Sequence, residues 1–442
     1  MSLPKYSNYK DSGIPWVGDV PAHWQVLPLI GVASERSEPN IGMREDNLLS
    51  LSYGRIVRKD IESNDGLLPE SFETYQVIRD GDIVLRLTDL QNDKRSLRSA
   101  LVSERGIITS AYLTLQPNRV DSRFLAYLLR GYDLSGVFYS MGGGLRQSMK
   151  FSDMKRMPVV LPSEVEQTAI VTFLDRKIGK IDALIAEQEV LIALLAEKRQ
   201  ATVSHAVTRG LNPDALMKDS GVAWLGNVPA HWGVSALSYL GSIETGSTPD
   251  RGEPLYWNGS IPWLKTGEIN WAPIREAEEF ITEAGLTNSA VKIARPGTLL
   301  MAMYGQGVTR GRVALLEIEA TYNQACAAIL FGPRINPEFG RYFFMAAYDH
   351  VRDAGNETSQ MNLSAGLIAK IRLPVPPVHE QVAIVRLLDA ETTKLDVLRA
   401  EAERAVALLK ERRSALIVAA VTGQIDVRAA SPQPAPLEEL AA

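Results

Sequence analysis

The stretch DSGIPWVGDVPAHW, Asp11 to Trp24, is written a second time as DSGVAWLGNVPAHW, Asp219 to Trp232. Chance does not return Trp-x-Gly-x-Val-Pro-Ala-His-Trp twice in one chain, and self-similarity on this scale decides architecture before any local motif does. A second pair lies downstream. VLPSEVEQTAIVTFLD, ending at Asp175, matches VPPVHEQVAIVRLLD, ending at Asp389, with Glu166-Gln167 laid on Glu380-Gln381. The match runs on through Lys180-Ile181-Asp182 and Lys394-Leu395-Asp396, then Leu194-Leu195 and Leu408-Leu409, and ends at Ala206-Val207-Thr208 and Ala420-Val421-Thr422. Between the similar blocks, Gln25 to Met157 and Gly233 to Ile371 share little identity. The order is therefore similar, different, similar, different, similar.

Each block that follows a variable stretch reads as a long helix. Ser163 and Glu166 form a capping-box start. Leu174, Ile178, Ile181, Ile185, Ile192 and Leu195 then recur at alternating spacings of four and three, with Gln188 at the missing seam position, which is a heptad pattern. Gly210 supplies the stop. The second block carries Leu388, Leu395, Ala402, Val406 and Leu409 on the equivalent seam, interrupted by Thr392 and Arg399. A helix with one apolar stripe must bury it, and the partner of equal length is the other copy, so an antiparallel pair is expected. At about 1.5 Å per residue, helices of about 35 to 40 residues would be roughly 50 to 60 Å long, a spacer longer than one turn of DNA.

The variable stretches read as mixed α/β domains. VIRDGDIVLRL and ALVSERGIITSAYLTLQP are β-branched runs broken by Gly and are followed by the helix-like DSRFLAYLLRGY. KIARPGTLLMAMYG, RVALLEIEA, NQACAAILF and then PEFGRYFFMAAYDHV repeat that order. The fold class is α+β: two mixed α/β domains and two long helices packed as an antiparallel coiled coil, in a pseudo-twofold tandem repeat. The chain divides into an opening repeat segment (1–24), a first variable domain (25–160), a central helical region (161–210), a repeat segment with the second variable domain (211–372), a distal helical region (373–428) and a tail (429–442). SPQPAPLEELAA, within that tail, has no apolar periodicity and reads as disordered.

The totals narrow the function. A chain of 442 residues suits two or three domains, and 45% apolar with 22% charged residues is ordinary for a globular protein. No run of about 18 apolar residues occurs, and MSLPKYSNYKDSG lacks a basic and then apolar leader, so a soluble cytoplasmic protein is expected. The single cysteine, Cys326, excludes an internal disulfide and reads as a small buried apolar residue. A net charge of −5 counts against a chain that clamps duplex DNA alone, because non-specific affinity comes from Lys and Arg neutralising phosphates.

Catalytic signatures are missing. Gly179-Lys180 is followed by Ile181, so there is no phosphate-binding loop, and the five histidines form no H-E-x-x-H pair, so no metal site is expected. A base-flipping amino-methyltransferase needs Asn or Asp before Pro-Pro-aromatic, whereas Pro376-Pro377 is followed by Val378. Asp153-Met154-Lys155 and Asp175-Arg176-Lys177 lack the preceding Pro-Asp of a nuclease core. No catalytic residue is assigned. Trp16, His23, Trp24, Trp224, His231 and Trp232 read as packing or partner-docking residues of the repeated segment.

The repeated Trp-x-Gly-x-Val-Pro-x-His-Trp, the closing LPVPPVHEQVAIV (Leu373 to Val385) with its counterpart at Leu161 to Val171, Ala420-Val421-Thr422-Gly423 at a helix end, and TGSTPDRGEPLYWNGSIPWLKTGEI (Thr245 to Ile269) together resemble the specificity subunits of Type I restriction–modification enzymes. The likeness runs over essentially the whole chain. Thr208-Arg209-Gly210 in the first copy departs slightly from Thr422-Gly423. Similar specificity chains also serve Type IIG-like and related defence systems.

The resemblance implies two target recognition domains that read a bipartite, asymmetric site in double-stranded DNA. It also implies two methyltransferase subunits and ATP-driven restriction subunits as partners, with S-adenosylmethionine, ATP and Mg on those partners and no cofactor here. Base reading needs polar side chains on loops. The candidates are Arg86, Lys94, Arg95, Arg98, Arg146, Gln147 and Lys150 in the first domain, and Lys265, Thr266, Tyr304, Gln306, Arg310, Arg312, Gln360 and Asn362 in the second. The alternative class is a helical scaffold or adaptor without DNA function, which the acidic balance favours.

Overall fold

The computed structural model describes residues 4–61, 69, 71–90, 97–141, 148–305, 308–353 and 362–428. The chain forms two compact units, Met1–Glu189 with Glu403–Ala442, and Val190–Ala402. These limits differ from those expected from sequence, which gave each helical region to itself. The boundary expected at 160/161 falls inside strand Pro158–Leu161, and that at 372/373 inside strand Arg372–Val375.

The two units repeat one plan. In the first, a four-stranded antiparallel sheet has the order Ala33–Glu35, Leu113–Pro117, Ile83–Leu85, Ser99–Leu101. In the second, Gly241–Thr245, Cys326–Phe331, Leu299–Ala302 and Val313–Leu315 take the same places. One inner strand of each sheet, IVL and LLMA, is buried along its whole length, as expected of short strands covered on both faces.

Helix α1, Ser122–Leu134, follows the first sheet and packs Phe124, Leu125, Leu128, Leu129 and Tyr132 inward at helical spacing. Its N-cap is Asp121, whose carboxylate accepts from the backbone N–H of Arg123 and Phe124. A short ribbon then closes each domain. Gln25–Pro28 pairs with Pro158–Leu161, and Gly233–Ala236 with Arg372–Val375.

Helix α2 spans Glu164–Arg209, 46 residues. After helix α3, Pro337–Ala346, which is capped by Asn336 in the manner of Asp121, comes helix α4, Val378–Val421, of 44 residues. At 1.5 Å per residue α2 and α4 are about 69 and 66 Å long, longer than the seam alone suggested, because each starts directly at its cap and runs unbroken to a glycine.

Ion pairs give the sense of the pairing within each unit. In the first, Arg413 donates to Asp182 at 2.6 Å and Lys410 lies 3.6 Å from Glu189, so rising numbers on one helix meet falling numbers on the other. In the second, Arg199 meets Asp396 at 3.2 Å. The expected seam carries the packing: Leu174, Ile181, Ile185, Leu195, Leu388, Leu395, Ala402 and Val406 are buried, and Ile178, Ile192 and Leu409 half-buried. Thr392, read as an interruption, is buried as well, its hydroxyl bonded to Leu388 O at 2.6 Å.

Both helices stop at a left-handed glycine, Gly210 at φ 73° and Gly423 at φ 74°. A Cβ on Gly210 would come within 2.9 Å of the Trp232 ring, and one on Gly423 within 2.3 Å of Pro21 Cδ. The end of α2 therefore sits on the second Pro-Ala-His-Trp, and the end of α4 on the first.

Candidate nucleic-acid interface

The repeated words of the sequence turn out to touch one another. His23 Nε2 is 2.8 Å from Glu166 Oε1, and the indole N–H of buried Trp24 points at the same oxygen from 3.5 Å. In the second unit His231 is 2.8 Å from Glu380 Oε1, and Trp232 donates to Glu380 Oε2 at 2.9 Å. Burial works against the Glu166 charge, yet hydrogen bonds from His23 and Ser163 outweigh it and hold the carboxyl below the usual carboxylate range. Glu380 is opposed by burial and lowered by Trp232 and His231 in the same way.

The next residue of each pair fastens the variable domain. Gln167 Oε1 accepts from the N–H of Asp121 at 2.8 Å, and Gln381 Oε1 from that of Asn336 at 2.7 Å, each at a helix N-cap. About two turns further along each long helix, Tyr127 donates to Asp175 at 2.7 Å and Tyr342 to Asp389 at 2.6 Å. Sequence reasoning missed Asp121, Tyr127, Asn336 and Tyr342. The signal was available, because DSRFLAY and NPEFGRY align at the cap, at the buried Phe124 and Phe339, and at the tyrosine. Trp16 lies edge-on to Tyr132, and Trp224 packs on Phe343 and stacks on His350. These aromatics are packing residues of the repeated frame.

On this frame some of the described candidates lie beside one another in each unit. The connection between the first unit's strands Ile83–Leu85 and Ser99–Leu101 is met by a returning segment, in which Met149 N–H bonds Leu87 O at 2.9 Å. In the second, the turn after Leu299–Ala302 is met by Leu363 N–H on Met303 O at 3.1 Å. Half-buried Arg86 and exposed Lys150 share the first location, while exposed Tyr304 and Asn362 and half-buried Arg312 share the second. The buried Arg312 Nε has no hydrogen-bond partner among the described residues.

Half-buried Thr266 and Lys265 border the same end of the second sheet through the turn Asn323–Ala325, whose ends bond Leu264 O and Met303 N–H. Lys265 is held by Glu279 at 2.8 Å and Glu278 at 3.3 Å, and the Glu279 carboxylate raises its ammonium above the ordinary lysine value. Lys94, Arg95, Arg146, Gln147, Gln306 and Gln360 lie outside the described residues.

One candidate is corrected. Arg98 is 0% exposed, and its guanidinium donates to the carbonyls of Arg86 (3.2 Å), Thr88 (2.8 Å) and Asp89 (3.2 Å). It staples the loop from inside and cannot also meet a duplex. Arg310 is 8% exposed. Arg98→Ala is expected to cost the first unit about 2–4 kcal/mol, since it strands three buried acceptors. A denaturation midpoint unchanged from the unsubstituted chain would refute that role.

Cys326 sits on a buried strand, where burial pushes its thiol up, as befits an inert core residue. Among the described residues no group of acids, histidines and cysteine is placed to hold a metal ion, and no helix is long and apolar enough to cross a membrane.

Residues 229–404 match the family model of the Type I restriction modification DNA specificity domain. The chain is 24% identical over 258 residues to the EcoR124I/EcoR124II specificity subunit of Escherichia coli, covering 57% of this chain and 59% of that one. It is 25% identical over 169 residues to the MjaIX specificity subunit of Methanocaldococcus jannaschii, covering 37% and 38%. These two matches thus span less than two thirds of the relatives' own length. A putative MjaX specificity subunit from the same archaeon is 22% identical over 451 residues, covering 97% of this chain and 99% of the relative.

In fold, the chain resembles one from a structural study of the assembly and conformational transition of the type I R-M system, with a TM-score of 0.65, 17% identity and coverage of 91% and 98%. It also resembles the HsdS subunit of Thermoanaerobacter tengcongensis, with a TM-score of 0.52, 18% identity and the same coverage of 91% and 98%. The chain thus joins a doubled frame holding two unlike domains to a Type I restriction modification DNA specificity domain over residues 229–404, and it is similar to specificity subunits of type I restriction enzymes.

Proposed function

We propose that this chain reads a bipartite, asymmetric site in double-stranded DNA, one half-site per unit, and positions methyltransferase and restriction subunits over it without catalysing either reaction. One observation carries this reading. The same contacts (His and Trp on Glu, Gln on a helix N-cap, Tyr on Asp) recur in both units, whereas the loops they support differ residue by residue. An invariant frame with exchangeable loops suits readout of two different sequences, because base contacts specify and the frame only positions them. The chemistry belongs to the partners: S-adenosylmethionine on two methyltransferase subunits, ATP and Mg on restriction subunits. Such a complex works in the cytoplasm, where the DNA is.

The charge argues for a shared surface. With a net charge of −5, the chain alone is expected to bind duplex weakly, and adding methyltransferase subunits should produce tight, salt-sensitive binding. Gel shifts on random-site DNA across a salt series read this directly. Nanomolar specific binding by the chain alone at physiological salt would refute the shared surface, and no binding with any partner would favour a scaffold without DNA function.

A further inference from the structure

The first unit carries a feature that the shared plan does not explain. Strands Leu49–Ser52 and Arg55–Arg58 pair in register, Ser52 opposite Arg55, leaving Tyr53-Gly54 as a two-residue turn. Both turn residues are left-handed, Tyr53 at φ 46° and Gly54 at φ 75°. Turns of this hand match the twist of a hairpin and favour Asn-Gly, while a bulky residue with a Cβ is strained there. Tyr53 recovers nothing by burial, being 82% exposed. A strained aromatic held out into solvent does not serve stability, and strain of this kind gathers at functional positions.

The mounting under it is stiff. Leu49 and Leu51 are buried in a cluster with Ile78, Val84 and Ala100. Arg130 reaches beneath the turn, donating to Gly54 O at 2.9 Å and Ser99 Oγ at 3.1 Å, with a further bond to Ser99 O. Gly54 suits glycine because its φ of 75° lies in the left-handed region, and a Cβ there would also push on the Arg130 guanidinium, 2.5 Å away.

We propose that this ribbon tip, Tyr53 with Arg55 beside it, enters a groove of the duplex and reads base edges in the first half-site. The inference rests on the DNA-reading role above and names residues for it. A two-stranded ribbon fits the major groove, where a phenol can donate and accept and a guanidinium can donate to guanine. Arg55 is 73% exposed and lies 3.5 Å from Asp182, which Arg413 already holds at 2.6 Å. Its charge is therefore available, unlike that of Arg58, which makes a bidentate pair with Glu104. Behind the tip lies a groove of about 820 Å³. Of its other cations, Arg123 is paired with Asp175, Arg413 with Asp182 and Lys410 with Glu189, and Arg130 is taken up by Gly54 O and Ser99. The tip thus offers a nucleic acid more than the groove does.

The test uses the full chain assembled with its methyltransferase subunits, with methylated-base mapping and binding to the mapped site. Asparagine suits the turn better than tyrosine, so Tyr53→Asn should leave the melting temperature unchanged or raise it by about 1–3 °C. The same variant should weaken binding to the mapped site by about 5- to 100-fold and relax one base position in one half-site, the other staying intact. Arg55→Ala, at an exposed position with no folding risk, should relax the same half-site. Unchanged affinity and preference in both variants would overturn the proposal. So would a uniform loss over all sequences, which marks phosphate contact, or failure to assemble with the methyltransferase, which marks the tip as a protein contact. If the unsubstituted assembly binds no sequence at all, the DNA-reading role itself fails, which is a distinguishable result.

Discussion

Gly423→Val is expected to destabilise the first unit by about 2–5 kcal/mol while leaving the second unit's unfolding unchanged. Two costs add. A β-branched residue at φ 74° meets the penalty of the left-handed region, about 1–2 kcal/mol. Its Cβ would also stand 2.3 Å from Pro21 Cδ and 3.2 Å from the Trp24 ring, an overpacking of about 1–3 kcal/mol. The proline and tryptophan cannot retreat, because Trp24 is wholly buried and lies against Glu166, and Tyr9 donates to Gly423 O at 3.1 Å. Segment-resolved hydrogen exchange in a urea series separates the units, and faster exchange should appear in Tyr9–Asp11, Asp19–Pro21 and the last turns of α4. Gly210→Val should do the same to the second unit, more mildly, since its nearest contact is a ring carbon at 2.9 Å. Equal loss in both units from either substitution would show that the closures are not independent.

The same closure explains what the sequence disclosed and what it withheld. Repetition is visible in one dimension, so Asp11–Trp24 and Glu166-Gln167 announced a doubled frame, and the seam from Leu174 to Leu195 announced the helix pair because burial of a helical stripe depends on spacing alone. That His23 would meet Glu166 was not legible. A contact between residues so far apart in the chain has no local signature, although each partner is visible separately as part of a repeat.

Arg98 shows the converse. An arginine on a polar loop reads as surface, and only the fold reveals three carbonyls waiting for its guanidinium. Tyr53 carries no sequence signal, because Ser52-Tyr53-Gly54-Arg55 lacks the Asn-Gly that flags a tight hairpin, and that departure from preference is what sets the residue apart. The helix lengths were underestimated because the apolar seam marks only the part of a helix that packs on its twin, while the caps mark the whole.

The fold also redraws the experiment with the largest expected effect on specificity, the exchange of one reading domain for that of a relative. Sequence similarity places the cuts at Gln25 and Met157, but Gln25–Pro28 and Pro158–Leu161 pair residue for residue and so belong to the frame. Cutting at 25 replaces one strand of that ribbon while retaining its partner, and a foreign strand must then match a native one at positions where Val159 and Val160 are buried. Exchange of 29–157 keeps both strands. It also carries across Asp121 and Tyr127, whose native partners Gln167 and Asp175 stay behind, so the donor needs an Asp or Asn cap and a Tyr at those places. A domain moved on these terms should change the first half-site completely and leave the second untouched, a shift in preference of roughly 10³-fold or more between old and new sites, with the melting temperature within a few degrees of the parent. Methylated-base mapping reads the outcome. A donor lacking the cap and the tyrosine should still redirect specificity but melt earlier, and a change in both half-sites at once would mean that the frame itself reads bases.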